Sequence, residues 1–213
     1  MQVKQKLFGL IVLVCGLFGL FFIVQIGIEK NRFLTLVDSE IQERKTIFSR
    51  QFEVKSLLQK KLSQDYSNWG EMVNFVQTGD NDWAVVNIVS GLSTFQADYA
   101  WVYRPDFSLV YSTSAAESSP VEITVPQEAV VSLFARQSTC HFFFASSAGI
   151  MEIFGATIVP SEDPERKTPA KGYFLVGTLL NQGYLEALSQ LNGAKISLVK
   201  GADVKQGGGE FSR

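Results

Sequence analysis

The residues with the means to do chemistry are few and scattered. Within "DYSNWGEMVNF", Asp65 and Glu71 flank a tryptophan and a glycine, an arrangement that would suit either a general acid and base or a packed helix bend. A catalytic pair of carboxylates needs a nucleophile or a reaction centre between its members, and no residue here supplies one. Cys140 and His141 adjoin in sequence, but neighbours on a strand point to opposite faces, so they cannot act as nucleophile and base. His141 is the sole histidine, and no His, Cys and carboxylate set has metal-ligand spacing. The "GGG" at 207–209 neither follows a strand nor opens a helix, so it is no phosphate loop. No catalytic set, metal or cofactor is expected, and Asp65, Trp69 and Glu71 read as a packing device.

Composition narrows the classes further. The chain has 213 residues, 46% of them hydrophobic, enough for one domain with a short accessory segment. With 19 basic and 21 acidic residues the net charge is -2, which leaves no basic stripe for nucleic acid. Cys15 and Cys140 offer no disulfide framework.

The elements begin with a membrane span. From Leu7 to Val24 the chain carries no charge, and Ile26 and Ile28 extend the run past Gln25 to the ~20 residues that cross a bilayer. The run is too long for a cleaved signal, and "QIGIEKNRF" has no small-residue cleavage site, so residues 7–28 read as a retained anchor. Lys4 and Lys6 precede it while Lys30, Arg32, Arg44 and Lys45 follow, so charge does not choose the orientation. Apolar residues then recur at Phe33, Val37, Ile41, Phe48, Phe52, Leu58, Leu62, Tyr66, Trp69, Val73 and Val76, mostly three or four apart, which predicts a long amphipathic helix. Some forty residues at 1.5 Å each reach roughly 60 Å, longer than a compact domain, so residues 29–64 are expected to form a stalk whose apolar stripe pairs with a second copy. A bend is expected at Asn68–Gly70, with Asn68 as N-cap and Glu71 as its capping-box partner. Gly79 stops the pattern, and a shorter helix capped by Asp80 or Asn81 follows.

From Asp98 the period becomes two. "DYAWVYR" and "LVYST" flank the turn "PDFS" and predict a hairpin. "QEAVVSLFARQ" reads as a helix, "HFFFASSAGIMEIFGATIV" as two strands, "GYFLVGTLL" as a further strand, "QGYLEALSQL" as a helix and "AKISLV" as a last strand. Residues 201–213 are polar and glycine-rich, hence a flexible tail. This order predicts an α+β domain over residues 65–200, an antiparallel sheet with flanking helices of the PAS or Cache kind.

Residues Asp65 to Leu180 resemble the CHASE domain of the fourth type, a sensor module named for its association with cyclases and histidine kinases. The likeness rests on an acid, small residue, Trp-Asp-acid signature matched by Asp65, Ser67, Trp69 and Glu71, with Gly70 where the family usually has Asp and Ser67 where Ala is common. Asn87, the hairpin with Asp98 and Asp106, and Gly172 and Gly177 add to it. The resemblance implies a non-catalytic domain facing the periplasm or exterior, anchored in the inner membrane, that binds an unidentified small signal and passes a shift down the stalk. In relatives a second span and a kinase or cyclase output domain follow. This chain shows neither, and whether it is a fragment or signals through a partner stays open.

A ligand is expected against the aromatic face of the first strand, with Tyr99, Trp101 and Tyr103 beside Glu152 of a later strand and Asp65 and Trp69 of the covering helix. The alternative, that the three aromatics are plain core, stays open. The rival function is a structural assembly subunit of the pilin or secretion-system type. It is disfavoured because a pilin carries glutamate five residues after its cleavage glycine, where Val14 stands after Gly9.

Overall fold

A computed structural model describes residues 2–115 and 123–199. The expected tail at 201–213 lies outside the described residues. Helix α1 runs Gln2–Ser67, through a stretch without proline to break it.

The first of two compact units is Met1–Ser49. It contains the apolar part of the one described helix long and apolar enough to cross a membrane, with a mean hydropathy of 2.7 over its best window. Phe8, Leu17, Phe21, Phe22 and Ile26 all lie exposed, tolerable in lipid and costly in water. Further along, the Glu40–Arg44 pair, 2.7 Å apart and one helical turn apart in sequence, adds only a few tenths of a kcal/mol.

The second unit, Arg50–Arg213, begins ahead of the expected domain start at Asp65 because the last turns of α1 are core: Gln59, Leu62, Ser63 and Ser67 are buried. The bend falls as expected, between Ser67 and the start of α2 (Gly70–Thr78). Its chemistry differs. Trp69, extended and without a side-chain cap bond, is the N-cap. Asn68 Nδ2 instead donates to Pro160 O at 2.7 Å, and Glu71 accepts from Trp83 Nε1 at 3.2 Å. The capping box loses because both side chains find tertiary partners. Gly79 closes α2 in the left-handed region at φ 63, where a glycine costs nothing.

Asp80 caps α3 (Asn81–Ala84), accepting from Asp82 and Trp83 amides. A π turn (Val85–Val89) and α4 (Ser90–Thr94) continue it. The hairpin is β1 (Tyr99–Tyr103) and β2 (Leu109–Ser114). Then come α5 (Gln127–Phe134), β3 (Thr139–Ser146), β4 (Gly149–Ile158), β5 (Gly172–Leu179) and α6 (Gln182–Asn192). The expected last strand at "AKISLV" is absent. Residues 194–199 join no ladder, and their start is tied back to α6 through Ala194 N–Ser189 O and Ile196 N–Ser189 Oγ bonds.

The five strands form one antiparallel sheet in the order β2-β1-β5-β4-β3, the PAS-like arrangement. Alternation along each strand makes two cores. On the first face Ala100, Val102, Phe154, Phe174 and Val176 pack with Leu62, Met72, Phe75, Ile88 and Leu92 of the helices. On the second, Tyr99, Trp101, Tyr103, Met151, Ile153 and Leu175 pack with Ile123, Val125 and Val130.

Candidate functional site

The structure divides the six residues expected to form a site. Tyr99, Trp101 and Tyr103 do share a face, the second one, and are buried there. Their polar groups are already engaged: Trp101 Nε1 donates to Ile123 O at 2.8 Å and Tyr103 Oη to Val125 O at 3.4 Å. Burial pushes the Tyr103 hydroxyl up to about 12. Tyr99 stacks on Trp101 with centroids 5.8 Å apart. Glu152 faces the other way. The register sets Phe154 opposite Val176 and Val176 opposite Ala100, so Glu152, two residues from Phe154, falls in phase with the first face. Trp69 also packs on the first face, and Asp65 is exposed on α1. The six are therefore not brought together.

The stretch around Trp69 is a packing device. Trp69 lies 5.8 Å from Tyr66 and 5.3 Å from Trp83, which stacks at 4.9 Å on Phe75. The loop before β5 clasps the end of α1. Ser67 O accepts from Val159 N, and Gly70 N donates to Ser161 Oγ. The Arg166 guanidinium donates to Gln64 O, Ser67 Oγ and Thr157 O.

A cleft of about 220 Å³ opens on the first face. Lys55 and Gln59 of α1 form one wall, Asp98 stands before β1, Thr178 lies one residue from the end of β5, and Tyr184 projects from α6. Gln59 is 2% exposed. Its Nε2 lies 3.5 Å from Gln96 O, while its Oε1 has no partner among the described residues. The Tyr184 hydroxyl is likewise buried and unpartnered. Burial, with the charges of Glu152 and Asp98 adding to it, pushes that hydroxyl up to about 12. Asp98 accepts from Leu179 N at 2.7 Å. Burial raises its pKa above the usual carboxylate value, and the Leu179 N–H and Lys55 only partly oppose this. Lys55 Nζ sits 5.0 Å over the Tyr184 ring, a cation–π contact.

Glu152, 1% exposed, sits opposite Thr178 in the ladder. One oxygen accepts from Ser56 Oγ at 2.8 Å and meets His141 Nε2 at 2.9 Å, while the other has no partner among the described residues. His141, 46% exposed, stacks flat on Phe154 at 4.2 Å. It lines a second, more open groove of about 460 Å³ together with Ser56, Lys60 and Gln64. Cys140 turns to the opposite face, where it packs beside Gly155 and burial pushes its thiol up to about 12. Among the described residues no three His, Cys, Asp or Glu side chains gather to hold a metal ion.

Buried polar atoms left without donors or acceptors cost about 1–3 kcal/mol each. Three of them, on Gln59, Glu152 and Tyr184, cluster in or beside one cleft. Sequence reasoning missed Gln59 and Tyr184. Both lie on helices, and only the packing of α1 and α6 onto the sheet buries the polar ends of their side chains.

The CHASE4 domain family matches residues 52–199. Among solved structures the chain is similar to the periplasmic domain of Vibrio cholerae LuxQ, with 11% identity and a TM-score of 0.52, covering 72% of this chain and 71% of that one. A second structure of the same domain, prepared with selenomethionine, gives 12% identity and a TM-score of 0.48 over 76% of this chain and 78% of that one. At such identity the first likeness is one of fold. No curated protein matches the sequence. The matched residues take in the buried end of α1, all five strands and α6, and this protein, with its apolar N-terminal helix, belongs to the CHASE4 domain family of extracytoplasmic sensory modules.

Proposed function

We propose that this protein is a non-catalytic sensor anchored in the inner membrane by residues 7–28, which receives a small polar signal in the cleft beside Gln59 and relays it along α1. The observation that carries this reading is the cluster of unpartnered buried polar atoms on Gln59, Tyr184 and Glu152. Lys55 and Gln59 belong to the same helix as the apolar segment, so a ligand that draws on them acts directly on the element that would carry the signal. Of the six residues expected from sequence, Glu152 borders the proposed site through its ladder partner Thr178. Two copies pair along the apolar stripe of Val37, Ile41, Phe48 and Phe52.

The test is a small-molecule screen by thermal shift on the full chain in micelles, run on the wild type and on Gln59→Leu. A compound that raises the melting temperature of the first and not of the second supports the reading. If no compound does so, or if every hit acts equally on Gln59→Leu, the cleft is not the sensory site.

A further inference from the structure

Among the described residues the cleft beneath α1 is lined by one ammonium and one carboxylate, Lys55 and Asp98. Its one ammonium, Lys55, is held over the Tyr184 ring at 5.0 Å. Against it stand the carboxylate of Asp98 and, bordering the cleft through Thr178, that of Glu152. Asp98 and Glu152 both act on the Tyr184 hydroxyl as negative charges, so the field in the cleft favours an ammonium group over a lone anion. The unpartnered Gln59 Oε1 is an acceptor that only a donor can satisfy. The room is small. At about 30 Å³ for each water's share of liquid volume, the cleft of about 220 Å³ holds about seven waters, the space of a ligand of under about ten heavy atoms.

Building on the sensor reading above, we propose that this cleft takes a small organic molecule bearing a primary ammonium group, whose N–H donors go to Gln59 Oε1 and the Asp98 carboxylate. Glu152 adds its negative field from beside the cleft. The unpartnered Tyr184 hydroxyl meets the ligand's second polar group, a hydroxyl or a carboxylate. Amino alcohols and amino acids share this chemistry, and the two are told apart by the probe that binds.

Binding is measured by calorimetry and thermal shift on the full chain in micelles, with ethanolamine, glycine, choline and acetate as probes. Ethanolamine or glycine is expected to bind and to raise the melting temperature, the first marking an amino alcohol and the second an amino acid. Choline, which has no N–H donor, and acetate, which has no cation, are expected to do neither. Gln59→Leu and Asp98→Asn should each weaken binding tenfold or more, while Trp101→Phe, on the opposite face of the sheet, should leave it unchanged. Asp98 also holds the Leu179 amide, so Gln59→Leu carries the test should Asp98→Asn not fold. The proposal is overturned if neither amine binds, if choline or acetate binds as well as they do, or if Gln59→Leu binds the amine with wild-type affinity. Should other compounds still give a shift that Gln59→Leu abolishes, the ammonium assignment alone fails. Should none do so, the sensory role of the cleft fails with it.

Discussion

Arg166 shows what a single residue contributes to the placement of α1. It holds a left-handed backbone, φ 54, a strained conformation for a side chain of its size, and in return reaches three acceptors, two on α1 and one on β4. Hydrogen bonds from a charged group contribute about 1.5–3 kcal/mol. Arg166→Ala is therefore expected to lower stability by about 2–3 kcal/mol in denaturant titration. Arg166→Lys should recover little, because an ammonium does not reproduce the fork of the guanidinium. An Arg166→Ala protein as stable as wild type would remove the clasp from the picture. Asp98 is a second residue with a measurable signature. Its folded pKa is raised by burial, so between the ordinary value of 3.8 and the raised value the folded state holds a proton that the unfolded state has lost. Stability from this group is fully present below that window and falls as pH rises through it. Asp98→Asn should flatten that fall, and an unchanged pH profile would contradict it. At this scale the sequence was informative about Trp69 as packing and misleading about Asn68 and Glu71. Their caps were legible as a pattern, and the tertiary partners that displaced them, Pro160 and Trp83, were not.

At the scale of elements, the helices, the hairpin and the later strands were legible because their periods of 3.6 and 2 are long and clean. The face of the first strand was legible too, as the common core of Tyr99, Trp101 and Tyr103 shows. What alternation within a strand does not contain is the phase between strands. That is set by the pairing register, which turned Glu152 away from those three aromatics. The last strand was misread because "AKISLV" has the composition of a strand, whereas its backbone bonds return to Ser189. The close fit of β5 to its neighbours makes a sharper prediction. A Cβ at Gly172 would stand 2.6 Å from the Tyr103 carbonyl oxygen and 3.0 Å from a Val76 methyl. The first of these is backbone and cannot swing aside. Gly172→Ala should cost about 1–3 kcal/mol, in the range of overpacked cores, by thermal or urea unfolding. A neutral effect would mean that β1 and β5 are less tightly paired than the register implies.

The whole molecule joins an apolar helix to a sensory domain, and two measurements address it at that scale. In membranes of a Cys15→Ala background, Ile41→Cys should form disulfides between chains more readily than Glu43→Cys, which lies off the apolar stripe. Equal yields would count against pairing along α1. The central claim, that the domain meets its signal outside the cytoplasm, is tested most directly by cysteine labelling in the same background. Cys140 is buried, and Ser147 is exposed in the turn between β3 and β4, so Ser147→Cys gives a single reactive site. A membrane-impermeant maleimide applied to intact spheroplasts is expected to label it fully, with no increase on lysis; labelling that appears only once the membrane is broken would place the domain in the cytoplasm and contradict the sensory role.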